Sequence, residues 1–245
     1  MNPIPNIITK CEAKAGPVGS TLSLYGDIGL SPFGDGISAE QVKTQLQNCK
    51  GPLAVYINSA GGSVFEGLAI YNQLKRYSGR VTCYVDGMAA SIASVIAMAG
   101  ATLVMSKASL MMIHEAHGVV AGTAADMEKC AADLRKITDT IRGVYITKTG
   151  LPENIVSEMM AAETWMSAED CVKQHFADAL DEEDAPVDRI TAKATLLDTY
   201  RNTPQHLRSA PYEIAVAKMQ MTIQQMQLQR SPKTINATRP AENIK

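Results

Sequence analysis

The chain has 245 residues, 46% of them hydrophobic and 20% charged, with a net charge of -2. This is room for one domain of ordinary size plus an appendage, and for a substantial core. The near-neutral charge gives no reason to expect nucleic acid or an anionic membrane surface as a partner. The longest apolar run, Ala89–Ala99, contains two serines and is too short to span a bilayer. The opening MNPIPNIITKCEAKAG has no basic flank followed by an apolar stretch, which speaks against a signal peptide. Five cysteines, at 11, 49, 83, 130 and 171, are odd in number and scattered, with no C-x-x-C pair. They fit a reducing, cytoplasmic setting better than a disulfide framework or a structural zinc site.

Residues 1–19 read as an N-terminal segment. Residues 20–29 (STLSLYGDIG) alternate weakly and end in glycine, which predicts a strand. Ser38-Ala39-Glu40-Gln41 is a capping box opening a helix to about Asn48. LAVYIN, 53–58, is a compact apolar run expected as a buried strand, and Ser59-Ala60-Gly61-Gly62-Ser63 turns out of it. Val64–Tyr77 reads as a helix and VTCYV, 81–85, as a strand turned by Asp86-Gly87. Ala89–Ala99 is a small-residue helix, apolar nearly all round and stopped by Gly100, so it is expected to be buried on several sides. Thr102–Met105 and Leu110–His114 are two further short strands. Two strand–glycine turn–helix units in succession imply parallel strands with right-handed crossovers, and hence an α/β fold.

From Thr123 to Lys148 apolar residues recur near helical spacing with charges between them, predicting a long amphipathic helix ended by Gly150 and Pro152. A shorter helix follows to about Ala162, and Ser167–Asp170 is another capped start. DEEDAP, from Asp181, reads as a linker. The domain therefore covers 20–184. A polar tail covers 185–245, helical around Glu213–Arg230 and disordered after that.

Ser91 stands where a strand and a glycine turn lead into the buried helix. A hydroxyl there projects from a rigid element, the N–H of Ile92 is an orphan donor of the first turn, and the helix dipole favours a nearby oxyanion. Taken alone, Ser91 reads more simply as a helix cap or a small core residue than as a nucleophile; Ser94, one turn on, reads as packing. Gly61-Gly62 lets the backbone adopt positive φ or meet another backbone closely. It lacks the Gly-Lys-Ser/Thr ending of a phosphate loop, which leaves an oxyanion pair or an ordinary tight turn. His114 ends the apolar strand LMMIH, so its imidazole needs a buried hydrogen bond or a site edge. His117 follows in a glycine-flanked loop, but further metal ligands of suitable spacing are lacking, and neither metal nor cofactor is implied. Glu163 precedes Thr164 and the chain's one tryptophan, Trp165; it reads either as a carboxylate orienting an imidazole or as a solvated helix-end charge.

Together, YINSAGGSVFEGLAIYNQLK (56–75), VDGMAASIASVIAMAG (85–100), SLMMIHEAHG (109–118) and ETWMSAEDCVKQHFADAL (163–180) resemble the Clp protease proteolytic subunit family in order and spacing. The resemblance is closer to its phage-encoded branch acting in head maturation. It implies a ClpP/crotonase-like ββα spiral core with a protruding handle helix, 123–148, through which rings contact one another. Ser91 then matches the nucleophile, His114 the base, and Glu163 the position of the family's third, aspartate, member. The N–H groups of Gly62 and Ile92 match the oxyanion donors, and Gly61, Ser63 and Val64 the backbone that takes an extended substrate strand. Ala60 stands where the family has proline, Glu-Ala-His follows His114 in place of Gln-Pro, and the tail has no counterpart in the housekeeping protease. The expected partners are a polypeptide substrate, further copies of the chain, and capsid or scaffold proteins or an ATP-driven unfoldase, in the host cytoplasm or the procapsid.

Three rivals differ in chemistry. A serine–lysine dyad enzyme of the same superfamily would leave His114 unexplained, an acyl-CoA enzyme of the crotonase fold would not need Ser91, and a non-catalytic capsid assembly protein would need neither.

Overall fold

The fold begins with parallel pairing of apolar strands. β2 (Ser20–Tyr25), β3 (Leu53–Ser59) and β4 (Val81–Ala90) lie side by side in parallel, and β5 (Thr102–Ser106) continues the sheet beyond β4. Side chains of a strand alternate between faces, so Leu22, Leu24, Val55, Ile57, Val81, Cys83, Val85, Leu103 and Met105 all fall on one buried face. In this computed structural model the described residues are 10–29, 36–181, 197 and 200–204. The chain divides into two compact units at Pro204/Gln205, and every described residue belongs to the first. The expected tail helix around 213–230 lies outside the described residues.

Each crossover is a helix. α1 (Ala39–Gln47) opens on the expected capping box, with Ser38 accepting from the Gln41 N–H and Gln41 accepting from the Ser38 N–H. α2 (Val64–Lys75) links β3 to β4, and α3 (Ile92–Ala97), all six of whose residues are buried, links β4 to β5. Burying Ile92 and Ile96 contributes about 1.5–3 kcal/mol each before entropy is counted.

The strand VTCYV does not stop at Asp86-Gly87 as expected; β4 runs on to Ala90, and α3 starts only at Ile92. The reason is a change of partner. Thr82–Val85 pair with Thr102–Met105 of β5, whereas Met88–Ala90 pair with Leu110–Met112 of β6 (Leu110–Ile113). The register against β3 shifts between Ile57 and Ser59, so extra residues of β4 bulge where the strand leaves one pairing for the other. Asp86-Gly87 marks that bend rather than an end.

Three strands were not foreseen. β1 (Lys10–Ala15), inside the expected N-terminal segment, pairs antiparallel with β2; β7 (Thr164–Ser167) pairs antiparallel with β6; β8 (Ala179–Asp181) pairs with β5. α4 (Ala124–Thr149) is the long helix, with a Thr123/Asp126 capping box and a left-handed Gly150 after it. At 26 residues it is about 39 Å long. Its buried positions, Thr138, Ile141, Tyr145 and Thr149, all lie in the C-terminal half, so the first half projects from the core. α5 (Glu153–Ala161) and α6 (Ala168–Lys173) complete the unit, the latter on the expected Ser167/Asp170 box. All five cysteines are free thiols. No helix among the described residues is long and apolar enough to cross a membrane.

Candidate active site

The end of β4 delivers Ser91 to the head of α3, and its N–H donates to Met112 O of β6 at 2.9 Å. That bond ties Ser91 to the strand whose continuation carries His114. Ser91 does not cap the helix: its side chain makes no cap hydrogen bond and instead lies 2.6 Å from His114 Nε2. Its backbone is held at φ 54°, ψ -129°, a region that costs a residue bearing a Cβ about 1–3 kcal/mol. A cap needs no such conformation; a serine aimed at an imidazole from a tight strand-to-helix turn does.

Ser94 holds that turn. Its buried hydroxyl donates to Ser91 O at 2.5 Å and pairs with the Tyr145 hydroxyl of α4 at 2.7 Å. Packing alone, as read from the sequence, understates it: Ser94 links the strained serine to the long helix.

The glycine pair lies directly against Ser91. Gly61 has φ +99°, and a Cβ there would come 2.7 Å from Ser91 Cβ and 2.8 Å from Ala90 O. At Gly62, φ +142°, a Cβ would fall 2.1 Å from Ile28 O. The backbone therefore passes between Ser91 and Ile28 with no room for a side chain. Ile28 N–H donates to Gly61 O and Ile28 O accepts from Ser63 N–H, while Gly61 N–H donates to Ser59 Oγ. Those groups of Gly61 and Ser63 are engaged within the chain. Gly62 pairs with Ile28 in an isolated parallel bridge whose two bonds run through Gly61 O and Ser63 N–H, and the N–H groups of Val64 and Ile92, each first in its helix, belong to the first turns that have no intrahelical acceptor.

The pKa of His114 is pushed down to about 4, mainly by burial and further by electrostatic interaction with His117 and Arg201. The imidazole is thus neutral at pH 7, the form that can accept a proton. The His117 ring is 5.0 Å from it, and no group of three His, Cys, Asp or Glu side chains among the described residues is placed to hold a metal.

Glu163 is buried, at 4% exposure, and also has positive φ, 51°. It follows α5 at the left-handed position where glycine is usual. β6 and β7 pair Met112 with Trp165 and Ile113 with Thr164, so the next step of that register sets Glu163 opposite His114. Yet the expected Glu163–His114 hydrogen bond is not made. Glu163 accepts instead from the backbone N–H of Arg201 at Oε2 (2.9 Å) and of Asn202 at Oε1 (2.6 Å).

Tyr200, which sequence reasoning missed, completes the site. Its ring stands edge-on to His114 at 5.2 Å and near His117 and Trp165, and its hydroxyl donates to Ala60 O at 2.5 Å. Burial pushes the pKa of that hydroxyl upward. No local signal in LLDTYRNTP marks a residue that packs 140 positions away.

Residues 33–184 match the family described as Clp protease. The ATP-dependent Clp protease proteolytic subunit 1 of Chlamydia abortus is 32% identical over 147 residues, covering 57% of this chain and 77% of the relative. The ATP-dependent Clp protease proteolytic subunit of Deinococcus radiodurans is 31% identical over 150 residues, covering 60% and 74%. With a mixed α/β core and a serine–imidazole pair at the head of a buried helix, the chain belongs to the Clp protease family and is a serine endopeptidase of the ClpP type.

Proposed function

We propose that Ser91 is the nucleophile of this endopeptidase, His114 its general base and Glu163 the carboxylate that orients His114 during turnover. The observation that carries this is the 2.6 Å contact between Ser91 Oγ and His114 Nε2 at a backbone conformation that a structural serine has no reason to adopt. His114 Nε2 takes the Ser91 proton while Oγ attacks the scissile carbonyl. The N–H groups of Gly62 and Ile92 stabilise the resulting oxyanion. His114 then passes the proton to the leaving amine as the C–N bond breaks, and a water activated by the same imidazole hydrolyses the acyl ester, regenerating Ser91. The substrate lies as an extended strand beside Gly62 and Val64.

The chain assembles through the projecting half of α4 into rings, and its substrates are capsid or scaffold polypeptides of a phage-type particle. The E-T-W sequence at 163–165 and the long tail support that branch. A second reading, a proteolytic subunit fed by an ATP-driven unfoldase, is favoured by the names of the relatives, ATP-dependent Clp protease proteolytic subunits. ATP-independent cleavage of co-expressed capsid proteins supports the first; cleavage only with an added ATPase supports the second.

The test of the chemistry compares hydrolysis of unfolded casein by wild type and Ser91→Ala. Cleavage disappears in the variant while its unfolding transition persists; a wild-type rate in Ser91→Ala overturns the assignment.

A further inference from the structure

The segment around Tyr200 is built into the catalytic cleft by contacts on every side. Leu197, Tyr200 and Thr203 are buried, at 7%, 5% and 4% exposure. The segment folds on itself: Thr203 Oγ1 donates to Leu197 O (2.5 Å) and lies 3.3 Å from Tyr200 O. It grips the site at three points. Tyr200 bonds Ala60 beside the glycine pair and packs on His114; Arg201 and Asn202 bind both oxygens of Glu163; Asn202 Nδ2 donates to Ala162 O at 2.7 Å.

Two of these contacts oppose catalysis. The Tyr200 ring stands edge-on to His114 and its hydroxyl bonds Ala60 O beside the glycine pair, which sets both next to Ser91, where a substrate carbonyl has to arrive. Glu163, opposite His114 in the strand register, spends both oxygens on the segment's backbone, and among the described residues Ser91 is the hydrogen-bond partner of His114. Neither contact uses a substrate or a second chain; the protein supplies both from its own sequence.

We propose that Tyr200–Pro204 is an intramolecular latch that occupies the substrate cleft and holds Glu163 away from His114, so that the folded chain is latent until the segment is displaced or cut away. The latch rests on the reading of Ser91, His114 and Glu163 as the catalytic set. Displacement frees the cleft and both Glu163 oxygens in one movement. The carboxylate can then accept from His114 Nδ1–H, which favours the imidazolium formed during turnover.

The test uses the full-length protein and a fluorophosphonate, which forms a covalent adduct on an activated serine. The labelling rate is measured for wild type, Tyr200→Ala, Tyr200→Phe and Arg201→Pro, with Ser91→Ala as the blank. Tyr200→Ala removes the ring, Tyr200→Phe only the hydroxyl, and Arg201→Pro one of the two N–H donors on Glu163. A latch closed for nine-tenths or more of the time yields a rise on the order of tenfold or greater when it is released. A segment that merely supported the site would give the opposite sign, since loosening it would slow labelling. Faster labelling in Tyr200→Ala and Arg201→Pro, and a smaller rise in Tyr200→Phe, establishes the latch. Ser91-dependent labelling at or below the wild-type rate in the variants that fold overturns the latch and leaves the serine assignment standing. Absence of labelling at Ser91 in every variant overturns the serine assignment, and the latch with it.

Discussion

The backbone of Ser91 predicts an unusual order of stabilities. Ser91→Ala and Ser91→Gly both lose the hydroxyl and its 2.6 Å contact with His114, so those losses cancel between the two variants. What remains is the conformation at φ 54°, ψ -129°. A Cβ there costs about 1–3 kcal/mol, which glycine relieves. Glycine in turn costs about 0.5–1 kcal/mol through the greater freedom of the unfolded chain. Ser91→Gly should therefore be more stable than Ser91→Ala by up to about 2.5 kcal/mol, the reverse of the order at an ordinary helix or strand position. For a chain of this size each kcal/mol moves Tm by about 2–4 °C. Thermal and urea unfolding of the two variants at one protein concentration measure the difference. If the alanine variant is as stable as the glycine variant or more so, Ser91 is not strained and the case for a built nucleophile turn fails.

The depressed pKa of His114 makes stability depend on pH. The imidazole titrates near 4 when folded and near 6.5 when unfolded, so protonation favours the unfolded chain; its contribution is complete above about pH 6.5 and lost as pH falls toward 4. The loss amounts to about 3 kcal/mol at most, and urea midpoints at pH 7.5 and 5 should converge less in wild type than in His114→Gln. Gly61→Ala should cost about 1–3 kcal/mol, because its Cβ meets Ser91 Cβ and Ala90 O. It should also lower kcat about a hundredfold by displacing the neighbouring Gly62 donor; near-normal turnover would separate the glycine pair from the oxyanion. Ser94→Ala should destabilise by about 1–3 kcal/mol, since the Tyr145 hydroxyl is left buried without its partner, and should slow turnover by freeing Ser91 O; loss of stability with unchanged kcat would confine Ser94 to packing.

What the sequence made legible was local. LAVYIN, the capping boxes at Ser38, Thr123 and Ser167, and the Gly150-Leu151-Pro152 stop carry their signals within a few residues, and each element formed where expected. Asp86-Gly87 misled because its turn signal is real while pairing with β6 keeps the strand going. β7 and β8 are too short for a periodic pattern, and β7 exists because β6 offers it an edge. His114 was visible as a polar residue ending an apolar strand, and Ser91 through its place before a buried helix. The capture of Glu163 by Arg201 and Asn202 was not visible, since both donors are backbone N–H groups that any sequence would supply. Tyr200 sat in a stretch read as tail, where only tertiary contact distinguishes a buried tyrosine from an exposed one.

The most direct measurement is mass spectrometry of the fluorophosphonate adduct on the full-length protein, in wild type and in Tyr200→Ala. A single adduct on Ser91, faster in Tyr200→Ala and abolished by Ser91→Ala or by prior unfolding, is the result this structure predicts. An adduct on another serine, or none on Ser91 in either protein, would contradict it.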